Sequence, residues 1–178
     1  VKGRGWWFIA AIVAAVVFLP GGAFVAVAVY RNRKEEMAAV RRALREAAVK
    51  HDVDPVILEA IGWVESNWKV DARSTSAADE ARGGAYGPTQ ITEKTARGIG
   101  YTGPMDALRR DVQLAADLSA KLMRARPGGP PTTVQDAGAW WNAGRTSAAQ
   151  LGPEHVTRRD YIPKAVAAYQ KVLAEPLA

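Results

Sequence analysis

The sequence predicts an all-α fold, or nearly so, on three observations. Apolar residues recur at helical spacing in several separate stretches, helix-capping residues bound those stretches, and no stretch alternates convincingly as a strand. The chain has 178 residues, 48% of them hydrophobic and 24% charged, which suits one compact domain plus an appendage. No internal repeat is visible.

Trp6 to Tyr30 carries no charge and is dominated by Ala, Val, Ile and Phe. A membrane-spanning helix needs about 20 such residues, so the stretch is long enough. Trp6, Trp7 and Tyr30 stand at its ends, where amphipathic rings favour the interface. Pro20-Gly21-Gly22 would kink the helix without forbidding a span. The alternative is a cleaved signal segment, with Lys2 and Arg4 as its basic start and Ala26-Val27-Ala28 as its cleavage site. The length of the apolar run favours a retained anchor. Basic residues flank both of its sides, so charge leaves the orientation open.

Arg31 to His51 reads as a helix with Val40, Leu44 and Ala47/Ala48 on one face. Arg31, Arg33, Lys34, Arg41, Arg42 and Arg45 read as its solvated face beside the membrane. The expected organisation is therefore an anchor over residues 1–30, a basic helical stalk over 31–51 and a domain over 52–178. Asp54-Pro55 supplies an N-cap followed by proline at the first helical position. The helix it opens carries Ile57, Ile61, Val64 and Trp68 on one apolar stripe. Glu65 lies beside that stripe, where partial desolvation would raise its pKa; Glu59 projects from a different side.

From Val70 to Gly100 the chain is rich in Gly, Ser, Thr and Ala, with turn signals at Gly83-Gly84 and Gly87-Pro88 and a short helix near Ile91 and Ala96. Asp111 to Met123 predicts a helix with a Leu114, Leu118, Leu122 stripe, which Pro127 to Pro131 ends. Thr133-Val134-Gln135-Asp136 resembles a capping box, and Gly144 suits a C-cap. A last helix runs from about Tyr161 to Leu173, with Pro163 in its first turn.

The absence of cysteine excludes a disulfide framework, a thiol nucleophile and a Cys-based zinc site. His51 and His155 stand at no ligand spacing, so neither a metal nor another cofactor is expected. The net charge of +6 suits a nucleic acid, a membrane surface or an anionic polymer such as a bacterial cell wall. No nucleic-acid partner is expected, because the chain has neither a concentrated basic face with stacking aromatics nor a known module.

Four blocks, in order, resemble the lytic transglycosylases with a soluble-type, lysozyme-like (SLT) domain. Ile61-Gly62-Trp63-Val64-Glu65-Ser66-Asn67-Trp68 resembles the family's Glu-Ser block, and Gly87-Pro88-Thr89-Gln90-Ile91 its Gly-Leu-Met-Gln-Ile block. Trp140-Trp141-Asn142-Ala143-Gly144 resembles Ala-Tyr-Asn-Ala-Gly, and Tyr161-Ile162-Pro163-Lys164 the closing tyrosine block. Each block alone is weak; together they cover roughly Val53 to Val172.

The resemblance implies a lysozyme-like helical domain that cleaves the glycan strands of peptidoglycan, with Glu65 as the sole acid/base. Glu65 would protonate the oxygen linking N-acetylmuramic acid to N-acetylglucosamine. Its carboxylate would then take the proton of the muramic 6-hydroxyl, which closes onto C1 and leaves a 1,6-anhydro end. Such a substrate-borne nucleophile removes the need for the second carboxylate of ordinary glycosidases. By the same resemblance, Ser74 would contact an acetamido or lactyl group and Gln90 would bond the glycan near the cleaved bond. Asn142 would hold loop and substrate beside Glu65, Tyr161 would place its hydroxyl near Glu65, and Trp140 or Trp141 would line the sugar cleft.

Three departures from the family pattern stand out. Pro88-Thr89 replaces Leu-Met and alters an apolar wall. Trp141 replaces tyrosine and loses a hydroxyl. The stretch between Ser74 and Gly87 is longer than usual and carries Asp79 and Glu80, either of which would make the enzyme a hydrolase if it activated water. A different class, a non-catalytic wall-binding module, sits uneasily with Glu65, Gln90 and Asn142 all present. The expected partners are peptidoglycan strands, the membrane through the first helix, and a secretion, conjugation or phage apparatus. The expected location is the cytoplasmic membrane, single-pass, with the catalytic domain on the cell-wall side.

Overall fold

The computed structural model describes residues 22–74 and 76–175. It divides into two units, 1–36 and Met37–Ala178. In the first, the described residues belong to the start of helix α1 (Gly22–Lys50). No helix of the described residues is long and apolar enough to cross a membrane. The expected span from Trp6 lies, as far as residue 21, outside the described residues.

In the second unit, the rest of α1 belongs to the core. Val40, Ala43, Leu44, Ala47 and Ala48 are buried against Ile57, Leu58, Ile61 and Trp68, so packing begins at Met37, inside the segment expected as a stalk. Helix α2 (Pro55–Ser66) starts where Asp54 Oδ1 accepts from the amides of Val56 (2.8 Å) and Ile57 (3.2 Å). It stops at Ser66, short of the expected Trp68. Asn67 and Trp68 both take φ 57°, and this left-handed turn sends the indole back under the helix, where it donates to the Glu59 carbonyl at 2.9 Å.

Arg41 and Arg45 are not on a solvated face. Both guanidinium groups donate to Glu59, whose side chain is fully buried on α2, and Arg41 also lies 4.6 Å over the Trp68 ring. A buried carboxylate without a counter-charge is strongly unfavourable, and this pairing fixes the register of α1 on α2.

The glycine-rich stretch forms a small antiparallel sheet in the order β1 (Arg73–Ser74), β2 (Ala85–Tyr86), β3 (Ile91–Thr92). Each strand has two residues, too few for alternation to show in the sequence. A single helical turn, α3 (Ala77–Glu80), lies between β1 and β2, and α4 (Glu93–Gly98) follows β3. Gly87 ends β2 at φ +75°, and a Cβ there would lie 2.4 Å from the Leu108 carbonyl oxygen, so only glycine fits. A 3₁₀ turn (Met105–Arg109) leads to α5 (Val112–Arg124), which Asp111 caps through the Leu114 amide at 2.9 Å. Leu118 of α5 packs with Ile91, Ala96, Met105 and Leu108 in a second core that carries the sheet.

Helix α6 (Val134–Ala143) ends at Gly144, φ +66°. Half of the expected capping box forms. Thr133 Oγ1 accepts from the Asp136 amide at 3.1 Å, but the Asp136 carboxylate accepts from the Ala148 amide at 2.7 Å instead of reaching back. A π-helical turn (Thr157–Tyr161) enters α7 (Ile162–Ala174), with Pro163 in its first turn. Helix α7 packs on α2 and α6 and thereby brings the end of the domain to Glu65.

Candidate active site

Glu65 sits in the last turn of α2, half-buried where α7 covers that helix. The Tyr161 hydroxyl donates to Glu65 Oε1 at 2.6 Å. Burial pushes the Glu65 carboxyl from 4.5 up to about 7; the Tyr161 hydrogen bond opposes this, and the negative charge of Asp79 adds to it. Desolvation outweighs the hydrogen bond, so the group exchanges its proton near neutrality, where a general acid/base works best. The Tyr161 phenol is held well above 10 by its own burial and by Glu65, and so stays a donor.

Ser74 is half-buried and already hydrogen-bonded. Its hydroxyl donates to Asp79 Oδ2, and Ser76 Oγ donates to the same oxygen at 2.7 Å. These hydroxyls, Ser74 first, hold the Asp79 carboxyl below its ordinary value, so it is ionised when Glu65 titrates. Glu80 instead lies 3.7 Å from Arg73 on the rim of the sheet.

Gln90, Trp141 and Asn142 come together along an open groove of about 850 Å³ lined also by Trp140, Thr157 and the α4 segment. Glu65, Ser74 and Tyr161 are not among its lining residues. Two connections join them to it. Ser66 Oγ, one residue after Glu65, donates to the Pro88 carbonyl at 2.7 Å and holds the loop that presents Gln90. Tyr161 closes the π turn that starts at the lining residue Thr157.

Gln90 itself takes φ +54°, a strained value for a residue with a side chain, and its amide donates to the Gly87 carbonyl at 2.8 Å. The Asn142 carbonyl oxygen accepts from Thr157 Oγ1 at 2.7 Å, which leaves the NH₂ of this exposed side chain to donate elsewhere. The Trp141 indole N–H donates to the Thr89 carbonyl at 3.1 Å, so an indole ties this helix to the loop without a tyrosine hydroxyl. Thr89 turns inward, buried, with its hydroxyl 2.6 Å from Ser119 Oγ. It therefore forms no wall of the groove, and that departure from Leu-Met falls on the interior.

The roles of Ser66 and Thr157 were missed from the sequence. Ser66 stood inside a quoted block with no partner visible, and Thr157 carries no local signal, because its bond to Asn142 depends on the π turn. Among the described residues no group of three or more His, Cys, Asp or Glu could hold a metal ion.

Comparison with known proteins points to one family. The family model for the transglycosylase SLT domain matches residues 42–170. The membrane-bound lytic murein transglycosylase F of Stutzerimonas stutzeri (strain A1501) is 30% identical over 79 residues, which is 44% of this chain and 15% of that protein. The chain thus matches only a small part of that curated relative's length. No solved structure matches. With the family model spanning 42–170, including the α2 glutamate, the Gln90 loop, the Asn142 helix end and Tyr161, the chain belongs to the transglycosylase SLT domain family.

Proposed function

We propose that this chain is a peptidoglycan lytic transglycosylase with a lysozyme-like domain, in which Glu65 is the single acid/base. The observation that carries the reading is the Glu65 carboxyl itself, held near pH 7 by burial with one donor, Tyr161, on its oxygen. In the first step Glu65 gives its proton to the glycosidic oxygen between N-acetylmuramic acid and N-acetylglucosamine, and the bond to C1 breaks. In the second, the resulting carboxylate takes the proton of the muramic 6-hydroxyl as that oxygen bonds to C1. The carboxyl is thus restored and a 1,6-anhydro end is left, with no water consumed. A pKa near 7 suits both steps, since each protonation state is accessible. Tyr161 positions the carboxyl and stabilises its ionised form between the steps.

Gln90, Asn142 and Trp141 are the residues we assign to glycan binding along the groove, with Asn142 offering its NH₂. Ser74 acts through Asp79, whose fixed charge favours the protonated form of Glu65. That same carboxylate favours a second reading. An ionised Asp79 near enough to act on the charge of Glu65 would, if it activated water, yield a plain reducing end.

We further read residues 1–30 as a membrane anchor and 31–51 as the basic helix that leads from it and packs into the domain from Met37 on, with 52–178 completing the catalytic domain on the wall side of the cytoplasmic membrane. The uncharged run of Trp6 to Tyr30 supports this, as does the membrane-bound relative. Digestion of purified sacculi followed by mass spectrometry tests the chemistry. Anhydromuramic ends are expected, reducing ends would favour the Asp79 reading, and clearing by Glu65→Gln equal to that of the unaltered protein would sink both.

A further inference from the structure

The groove is cationic on a scale that a neutral glycan does not require. Arg82, Lys94 and Arg145 line it, and no aspartate or glutamate does. All three side chains are exposed, and none lies within ion-pair distance of a carboxylate among the described residues. Arg82 helps hold Asp79 ionised, but lies outside ion-pair distance of it. Most other basic side chains near a carboxylate on this unit are paired: Arg41 and Arg45 with Glu59, Arg97 with Glu93, Arg109 and Arg110 with Asp106, and Lys171 with Glu175.

The fold also sets where these charges stand. The Lys94 amide donates to the Arg82 carbonyl at 3.2 Å, so these two cations come from adjoining backbone at the sheet side of the groove. Arg145 comes from the segment after α6, anchored by its amide on the Ala139 carbonyl at 3.1 Å. His155 adds a donor, because its Nδ1 accepts from the Thr157 amide at 3.2 Å and its proton therefore sits on Nε2. Three cations in one concavity with no carboxylate on its lining, of which only Arg82 feels a nearby one, Asp79, focus a positive potential on whatever enters it.

The N-acetyl sugars of a glycan strand are uncharged wherever the lactyl group is amide-linked to a peptide, whereas the peptide stems carry free carboxylates. We propose that the groove seats the stems together with the strand, with Arg82, Lys94 and Arg145 pairing with stem carboxylates while Gln90, Trp141 and Asn142 hold sugar. This rests on the reading of the chain as a peptidoglycan-cleaving enzyme. It makes the substrate the peptide-bearing strand, as opposed to the bare glycan.

The test compares the intact chain on two substrates, strands from sacculi freed of phosphate polymers and the same strands stripped of peptide by an amidase. A lower KM is expected on the peptide-bearing strands, and the advantage should shrink as salt rises. Each exposed ion pair carries about a two- to fivefold effect, so Arg82→Ala, Lys94→Ala and Arg145→Ala together should raise KM on peptide-bearing strands on the order of tenfold, to the value for stripped strands. Equal KM of the unaltered protein on both substrates would overturn the inference while leaving the proposed function standing. So would a triple variant that loses the same factor on each, or a salt-sensitive gain seen only when phosphate polymer is left on the wall. Failure to cleave either substrate would overturn the proposed function itself.

Discussion

Replacing Glu65 by glutamine should make the folded protein more stable at alkaline pH while abolishing turnover. The carboxyl titrates at about 7 in the fold against 4.5 when free. A group whose folded pKa is raised contributes stability that is fully present below its free value and is lost as pH rises through the folded one. At about 1.4 kcal/mol per pH unit, the difference corresponds to about 3 kcal/mol. Glutamine keeps an acceptor for the Tyr161 hydroxyl and never ionises, so it escapes that loss. Urea unfolding of both proteins at pH 4 and pH 8 reads the effect directly. The variant and the unaltered protein should be nearly equal at pH 4, and the variant ahead by about 3 kcal/mol at pH 8. Carboxylates with depressed values, such as Asp79 and Asp117, weaken both proteins at low pH and cancel in the comparison. A stability difference that does not change with pH would refute the claim that burial holds the Glu65 proton. The same titration predicts that kcat/KM falls as pH rises through about 7, as the acid form disappears.

Tyr161→Phe removes the donor that lowers the Glu65 pKa, so the alkaline limb of the pH–rate profile should move upward, at a stability cost of about 1 kcal/mol; an unmoved limb would contradict the assigned hydrogen bond. Gly87→Ala places a Cβ 2.4 Å from the Leu108 carbonyl oxygen at φ +75°, and thermal unfolding should show a loss of about 2–3 kcal/mol. Glu59→Gln leaves Arg41 and Arg45 beside a buried neutral amide and should cost about 3–5 kcal/mol in urea unfolding, whereas a change below about 1 kcal/mol would mean that the pair does not lock α1 to α2.

The sequence alone determined the helical class, the caps at Asp54, Thr133 and Gly144, and the four blocks that mark the family. These are local signals, since a cap or an apolar stripe needs only neighbours within a turn or two of helix. It misjudged places where a distant partner decides. Arg41 and Arg45 read as solvated because their carboxylate lies on another helix, 18 and 14 residues away respectively. The bond of the Ser74 hydroxyl to Asp79 was likewise hidden, because it depends on a helical turn five residues on. The sheet was invisible because two-residue strands have no period to detect. Glu65 shows the division best. Its position beside an apolar stripe is written in the spacing of α2. Its protonation near neutrality comes from packing, against the opposing hydrogen bond of a hydroxyl 96 residues away, because desolvation is a property of everything the fold brings near the group.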